Sequence, residues 1–173
     1  MKKVVLIGYM GSGKSVVSAM LAQKTGIEFV ELDEYIEKKC GMSVATIFAT
    51  KGELYFRKIE RELFLEFLQD TSRELIISTG GGTPCYYNNH ELLQAEGVVS
   101  IYLKSTIDTL TQRLDKEKQS RPLIAHLDIE GLREFIAKHL FDRSFYYNQA
   151  TFKVAVDTKS VEEIVSEIVS LLV

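Results

Sequence analysis

An apolar run, Val4-Val5-Leu6-Ile7, leads straight into Gly8-Tyr9-Met10-Gly11-Ser12-Gly13-Lys14-Ser15, after which Val16, Val17, Met20 and Leu21 follow a helical pattern. That is strand, glycine-rich turn and helix. Gly8, Gly11 and Gly13 let the backbone take positive φ and curl its N–H groups inward, where a Cβ would clash with the turn or with a bound phosphate. The loop opens onto a helix N-terminus, whose unsatisfied N–H groups and roughly half a positive charge add to the pull on an anion. In such a cradle Lys14 reaches the β- and γ-phosphates of a nucleoside triphosphate, and the Ser15 hydroxyl ligates the accompanying Mg²⁺. A plain glycine-rich turn beside a surface lysine would leave the Lys14-Ser15 spacing and the preceding strand as coincidence.

The 173 residues suit one domain, with no internal repeat or boundary in the sequence. A chain of this size buries about 70% of the surface it exposes when unfolded, so no disulfide or metal staple is needed. The net charge of −3 gives no reason to expect a nucleic-acid partner. Any anionic ligand must therefore be met by local basic residues. Cys40 and Cys85 are too few and too scattered for a disulfide framework or a zinc site; they read as free thiols in a reducing compartment. The apolar run after Met1-Lys2-Lys3 is only four residues long, too short for a leader. Nothing approaches the run of about 18 apolar residues that spans a bilayer. A cytoplasmic protein with no membrane partner is expected.

Beyond the first helix, Ile27 to Leu32 reads as a second strand, closed by Glu31-Leu32-Asp33. Strand alternation places Glu31 and Asp33 on one side, at the carboxyl end where ligands collect in an open parallel sheet. One acid could hold Mg²⁺ or its water shell and the other orient a hydroxyl nucleophile, or Asp33 could simply cap the helix that follows. Ser43 to Thr50 and Glu53 to Leu68 are amphipathic helices. On the second, Arg57 and Glu60 are three apart, which by spacing alone reads as an exposed ion pair worth a few tenths of a kcal/mol. Leu75-Ile76-Ile77 is a buried parallel strand running into Gly80-Gly81-Gly82, where successive glycines suggest a backbone approached closely by a ligand, or a flexible turn. Asn88 to Glu96 reads as helical and Val98 to Leu103 as a strand. Thr106 to Leu114 is a helix carrying Arg113, and the polar Asp115 to Pro122 has the composition of a mobile lid or of any surface loop. A long helix from Ile129 to Tyr147, a strand from Phe152 to Val156 and a helix from Val161 to Leu172, opened by the capping box Ser160/Glu163, complete the chain. Five strands alternating with helices imply an α/β fold with a parallel sheet covered on both faces. His90, His126 and His139 share no metal-ligand spacing and read as surface or interface histidines.

Taken together, these motifs resemble the shikimate kinases, small P-loop kinases of aromatic amino-acid biosynthesis. The resemblance rests on Gly8 to Ser15, Glu31-Leu32-Asp33, Phe56-Arg57-Lys58-Ile59-Glu60, Gly80-Gly81-Gly82, Arg121-Pro122-Leu123, and Arg143 ahead of Tyr146-Tyr147, and so covers nearly the whole chain. It implies a three-layer P-loop kinase fold, related to the nucleoside-monophosphate kinases, in one domain spanning 1–173. A mobile lid covers about 115–126 and a substrate-binding helical region about 33–61. It also implies ATP-dependent phosphorylation of the shikimate 3-hydroxyl by an enzyme that is generally monomeric. The ATP contacts it implies are Gly11, Ser12, Gly13, Lys14, Ser15, Val16, Arg113 on adenine and Arg121 swinging onto the phosphates. The shikimate contacts are Asp33, Arg57, Gly80, Gly81, Gly82 and Arg143, with Glu60 orienting Arg57. Catalysis falls to Lys14, Asp33 and Arg121. This displaces the surface-pair reading of Arg57 and Glu60. The physics agrees, because guanidinium forks hold a carboxylate bidentately and Phe48 and Phe56 could wall such a pocket.

The family usually carries Asp-x-Asp at the second strand, whereas this chain has Glu31 in the first place. The longer side chain suits a metal neighbour acting through water better than a direct ligand beside Ser15. Two other readings share the cradle. A gluconate or nucleoside-monophosphate kinase would differ in its acceptor pocket. A guanine-specific switch would usually carry Asn-Lys-x-Asp after a late strand, a run missing from this sequence.

Overall fold

The computed structural model describes residues 2–121 and 123–172. Five strands, β1 (Lys3–Ile7), β2 (Glu28–Glu31), β3 (Leu75–Ser78), β4 (Val98–Lys104) and β5 (Phe152–Ala155), form one parallel sheet in the order β2-β3-β1-β4-β5. The helices are α1 (Lys14–Thr25), α2 (Leu32–Cys40), α3 (Val44–Lys51), α4 (Glu53–Gln69), α5 (Asn89–Leu92), α6 (Ile107–Glu117), α7 (Ile129–Tyr147) and α8 (Val161–Leu172).

The central strand explains the layers. Along β1 the side chains alternate between two cores, as a period of two demands. Val4 and Leu6 pack with Val17 and Leu21 of α1 and Ile164, Val165 and Ile168 of α8. Val5 and Ile7 pack with the larger core under α2, α3, α4, α6 and α7. All four are at most 1% exposed, which is why the strand is apolar from Val4 to Ile7. The α/β sheet with helices on both faces is the expected fold. Its carboxyl ends bring the loops after β1, β2 and β3 to one side of the molecule. Among the described residues no helix is long and apolar enough to cross a membrane.

Three boundaries depart from the sequence reading. The second strand stops at Glu31, so Asp33 stands in the first turn of α2, and strand alternation with Glu31 does not apply. Its acid is favoured there by the helix macrodipole, although Glu31 at the N-cap makes no side-chain cap. The helix read over Asn88 to Glu96 is only α5: the left-handed Tyr87 (φ 49°) and Asn88 (φ 57°) start it one residue late, and from Leu93 the backbone tightens into turns bonded three residues back, Leu93 to His90, Gln94 to Glu91 and Ala95 to Leu92. Finally, Asp115 to Glu117 continue α6, and Lys118–Ser120 form a 3₁₀ turn rather than open loop. Ile124, just beyond, is fully buried in the larger core. That single apolar anchor was invisible as a period. Pro122, part of the proline-containing motif and of the lid stretch, lies outside the described residues.

Candidate active site

The phosphate loop is preorganised by its own lysine. Lys14 is buried, and its Nζ donates to the carbonyls of Gly8 (2.8 Å) and Tyr9 (3.1 Å), folding the loop back on itself. Gly13, at φ 93°, is the N-cap of α1 and offers no side-chain cap, and no acid stands in the first turn. By contrast α3, α6 and α7 are capped by Ser43, Thr106 and Asp128, and α8 by the reciprocal Ser160/Glu163 pair. The first N–H groups of α1 are thus left for an anionic ligand. The Ser12 hydroxyl is buried without a partner in the same loop.

A cavity of about 470 Å³ opens beside this loop, lined among others by Gly11, Gly13, Lys14, Ser15, Val16, Glu31, Asp33, Gly80, Gly81, Arg113 and Arg121. Arg113 donates from Nη1 to the Gly11 carbonyl at 3.1 Å, tying α6 to the loop. Arg121 is held by Glu117 (2.9 Å), while its Nε is buried without a partner. Lys14, Arg113 and Arg121 therefore present three cations to one space, and their charge suits a polyphosphate. A divalent ion could rest on the Ser15 hydroxyl. That hydroxyl donates to Glu31 Oε1 at 3.0 Å, and Ser78 donates to the same oxygen at 2.9 Å.

The three consecutive glycines are where Asp33, Arg143 and Arg57 come together beside the phosphate loop. A Cβ on Gly80 would lie 3.0 Å from Asp33 Oδ1; on Gly81, 3.4 Å from Arg143 Nη1 and 3.5 Å from the Gly8 carbonyl and the Met10 nitrogen; on Gly82, 2.6 Å from Arg57 Nη2. Successive residues of one backbone segment thus touch the acid, one arginine together with the phosphate loop, and the other arginine. A side chain is crowded most at Gly82, less at Gly80, and at Gly81 would make only ordinary contact. Arg57 and Glu60 are 8% and 0% exposed, so the exposed-pair reading from spacing alone is corrected. Glu60 accepts from Arg57 Nη1 at 3.0 Å and from the Thr83 hydroxyl at 2.6 Å. Phe56 and Phe48 flank the Arg57 guanidinium at 5.2 and 5.9 Å from their ring centroids.

Burial and charge set unusual proton affinities. Burial lowers Lys14 to about 8, with Asp33 and Glu31 resisting and Arg143 and Arg121 reinforcing the shift. Burial, aided by the negative charge of Glu60, raises Asp33 to about 6, against the pull of Lys14 and Arg57. An acid poised near 6 can accept a proton at neutral pH. Burial also pushes Glu31 up, offset in part by the hydroxyls of Ser78 and Ser15. For Arg57, burial alone would lower the value, but Glu60 outweighs it and keeps the guanidinium charged.

A family model described as shikimate kinase matches residues 10–173. The chain belongs to the shikimate kinase family. A shikimate kinase of Flavobacterium johnsoniae is 56% identical over 172 residues, covering 99% of each chain. The crystal structure of a shikimate kinase from Bacteroides thetaiotaomicron superposes with a TM-score of 0.91 at 32% identity, covering 99% of this chain and 98% of that one. A shikimate kinase from Acinetobacter baumannii, solved in complex with shikimate, gives 0.85 at 28% identity, covering 99% and 93%.

Within this shikimate kinase family member, sequence reasoning missed several residues around the two arginines. Glu53 accepts from Arg57 Nε and Nη2 (3.3 Å each), and the Tyr86 hydroxyl donates to the same oxygen at 2.9 Å while its ring lies 4.2 Å from the guanidinium. The Tyr147 hydroxyl donates to the Gly81 carbonyl at 2.6 Å. His139, read as a surface or interface histidine, instead sits within 3.1 Å of the buried Tyr9 hydroxyl. A signal was present: Glu53 is four before Arg57, and His139 and Tyr147 are four before and four after Arg143, so each pair shares a helix face.

Proposed function

We propose that this chain transfers the γ-phosphoryl group of ATP to the 3-hydroxyl of shikimate, with Mg²⁺ as cofactor, as a single domain acting in the cytoplasm as a monomer. The observation that carries the acceptor is the convergence of Asp33, Arg143 and Arg57 on Gly80, Gly81 and Gly82 beside the phosphate loop. Shikimate is a small carboxylate bearing hydroxyls, and two guanidinium groups and one acid match those features.

The loop fits a nucleoside triphosphate because α1 has no side-chain cap at its N-terminus and the Ser12 hydroxyl lacks an internal partner. Gly11, Ser12, Gly13, Lys14, Ser15 and Val16 hold the phosphate end, Arg113 packs on adenine, and Arg121 closes over the phosphates from the lid at about 115–126. Among the described residues no group of three His, Cys, Asp or Glu side chains forms a metal cage. This suits an ion carried mainly by Ser15, phosphate oxygens and water, with Glu31 as a neighbour. Bound Mg²⁺ supplies charge neutralisation on the phosphates. Lys14 exchanges its loop carbonyls for phosphate oxygens, and a polyanion restores its proton affinity. Arg57 and Arg143 fork the acceptor carboxylate, Glu60 keeps Arg57 oriented, and Asp33 takes the hydroxyl proton as the bond to phosphorus forms. Arg121 stabilises the charge on the transferred group. Phosphoryl transfer needs this positioning and charge stabilisation more than covalent help.

A coupled assay of ADP release tests the proposal. Turnover requiring both shikimate and Mg²⁺ is expected; equal turnover with gluconate or a nucleoside monophosphate would replace the acceptor. Nucleotide binding by calorimetry without turnover on any small acceptor would reduce the chain to a switch or binding module.

A further inference from the structure

Four residues of α7, each one turn apart, make a continuous strip over the acceptor cleft. Phe135 packs on His139 with ring centroids 4.2 Å apart. His139 Nδ1 stands 3.1 Å from the Tyr9 hydroxyl. The Arg143 guanidinium lies 5.5 Å from the centroid of the Tyr9 ring. Tyr147 bonds the Gly81 carbonyl, next to which Arg143 Nη1 also sits.

Tyr9 is the unusual member, because it belongs to the phosphate loop and yet is only 1% exposed. Its carbonyl accepts from Lys14 Nζ and from the Ser12 nitrogen, each at 3.1 Å, so its backbone is fixed from the nucleotide side. Its ring is fixed only through its packing and its hydroxyl. With His139 neutral and its proton on Nε2, Nδ1 accepts the Tyr9 O–H and locks that ring. Among the described residues no carboxylate lies within ion-pair distance of Arg143, so this aromatic platform and Tyr147 are what restrain a long, entropically costly side chain.

We propose that His139 is a positioning residue, which through the Tyr9 hydroxyl fixes the ring under Arg143 and so sets the affinity for the acceptor carboxylate. The inference rests on the shikimate kinase reading and adds to it a residue outside the acceptor and phosphate contacts. His139 touches neither substrate; it acts at one remove.

Steady-state kinetics of the full chain test it, using wild type, His139→Leu, His139→Asn, Tyr9→Phe and the double variant Tyr9→Phe/His139→Leu, with thermal melts to establish that each is folded. His139→Leu is expected to raise the KM for shikimate about three- to tenfold, the range for a single lost hydrogen bond, with kcat and the KM for ATP within about twofold. His139→Asn places an amide oxygen near the position of Nδ1 and should recover most of the affinity. The double variant should be no worse than Tyr9→Phe alone, because both remove the same contact. Unchanged KM in folded His139→Leu and Tyr9→Phe, fully additive effects, or an asparagine as damaging as leucine each overturn the inference while leaving the kinase reading intact. Absence of wild-type turnover on shikimate overturns the kinase reading, and the inference falls with it.

Discussion

Arg57 and Arg143 face the same short backbone segment, but they are restrained by opposite chemistry. Arg57 is gripped by acids, Glu60 at 3.0 Å and Glu53 at 3.3 Å, with Tyr86, Phe56 and Phe48 around its faces. Arg143 is gripped by aromatic groups, with Tyr9 beneath it and Tyr147 beside it. The first arrangement fixes direction by charge: Glu60 and Glu53 take N–H groups on two sides and leave the Nη1/Nη2 edge facing Gly82. The second has no carboxylate within ion-pair distance among the described residues, and Glu60 acts on it only at longer range. One arginine is therefore a structural member of the fold. The other is a cation with no ion-pair partner among the described residues.

Removing each arginine should expose that difference most strongly. Arg57→Ala strands Glu60 in the core and should cost about 3–5 kcal/mol of stability, the usual penalty for an orphaned buried charge. Arg143→Ala should cost about 1 kcal/mol or less while losing acceptor affinity about as severely, by roughly 10- to 100-fold. Urea unfolding alongside shikimate KM measures both, and equal stability losses would end the contrast.

The acid beside Gly80 gives the next largest effect. Because folding raises Asp33 from 3.8 to about 6, the native state binds its proton more tightly than the unfolded chain does. Its ionisation therefore costs stability, a cost absent below the unfolded value and fully present above about pH 6. Asp33→Asn should accordingly stabilise the protein at pH 8 by up to about 3 kcal/mol, at about 1.4 kcal/mol per pKa unit, while abolishing most turnover. In the wild type, kcat/KM for shikimate should fall about tenfold per pH unit below 6, since the base must be ionised. A pH-independent rate between 5 and 7 would remove Asp33 from proton transfer.

Gly82→Ala touches only one side of the comparison. Its Cβ would come within 2.6 Å of Arg57 Nη2 and not of Arg143, so Arg57 must shift. Shikimate KM should rise about tenfold with ATP KM unchanged, given charge-assisted bonds of about 1.5–3 kcal/mol. The smallest effect belongs to Glu53→Gln. Glu53 is 47% exposed, and an exposed i, i+4 pair contributes at most about 0.5 kcal/mol. A larger loss in chemical denaturation would mean that Arg57 depends on both acids rather than chiefly on Glu60.

The sequence by itself determined the strand-loop-helix cradle, the five alternating strands and Lys14 and Asp33 as candidates, through glycine spacing, apolar periods and short motifs that act over a few residues; Arg57, Arg121 and Arg143 became candidates only through the family resemblance. It misjudged the helix after Asn88, which gives way beyond Leu92 to turns bonded three residues back, and the polar run from Asp115, which continues α6 and closes in a 3₁₀ turn ahead of the buried Ile124. Only the tertiary structure decided that Glu60 is buried rather than exposed, that Asp33 belongs to a helix, and that His139 meets a tyrosine 130 positions away. Those are facts of packing between elements distant in the chain. No one-dimensional period encodes which face of α7 will meet the loop after β1.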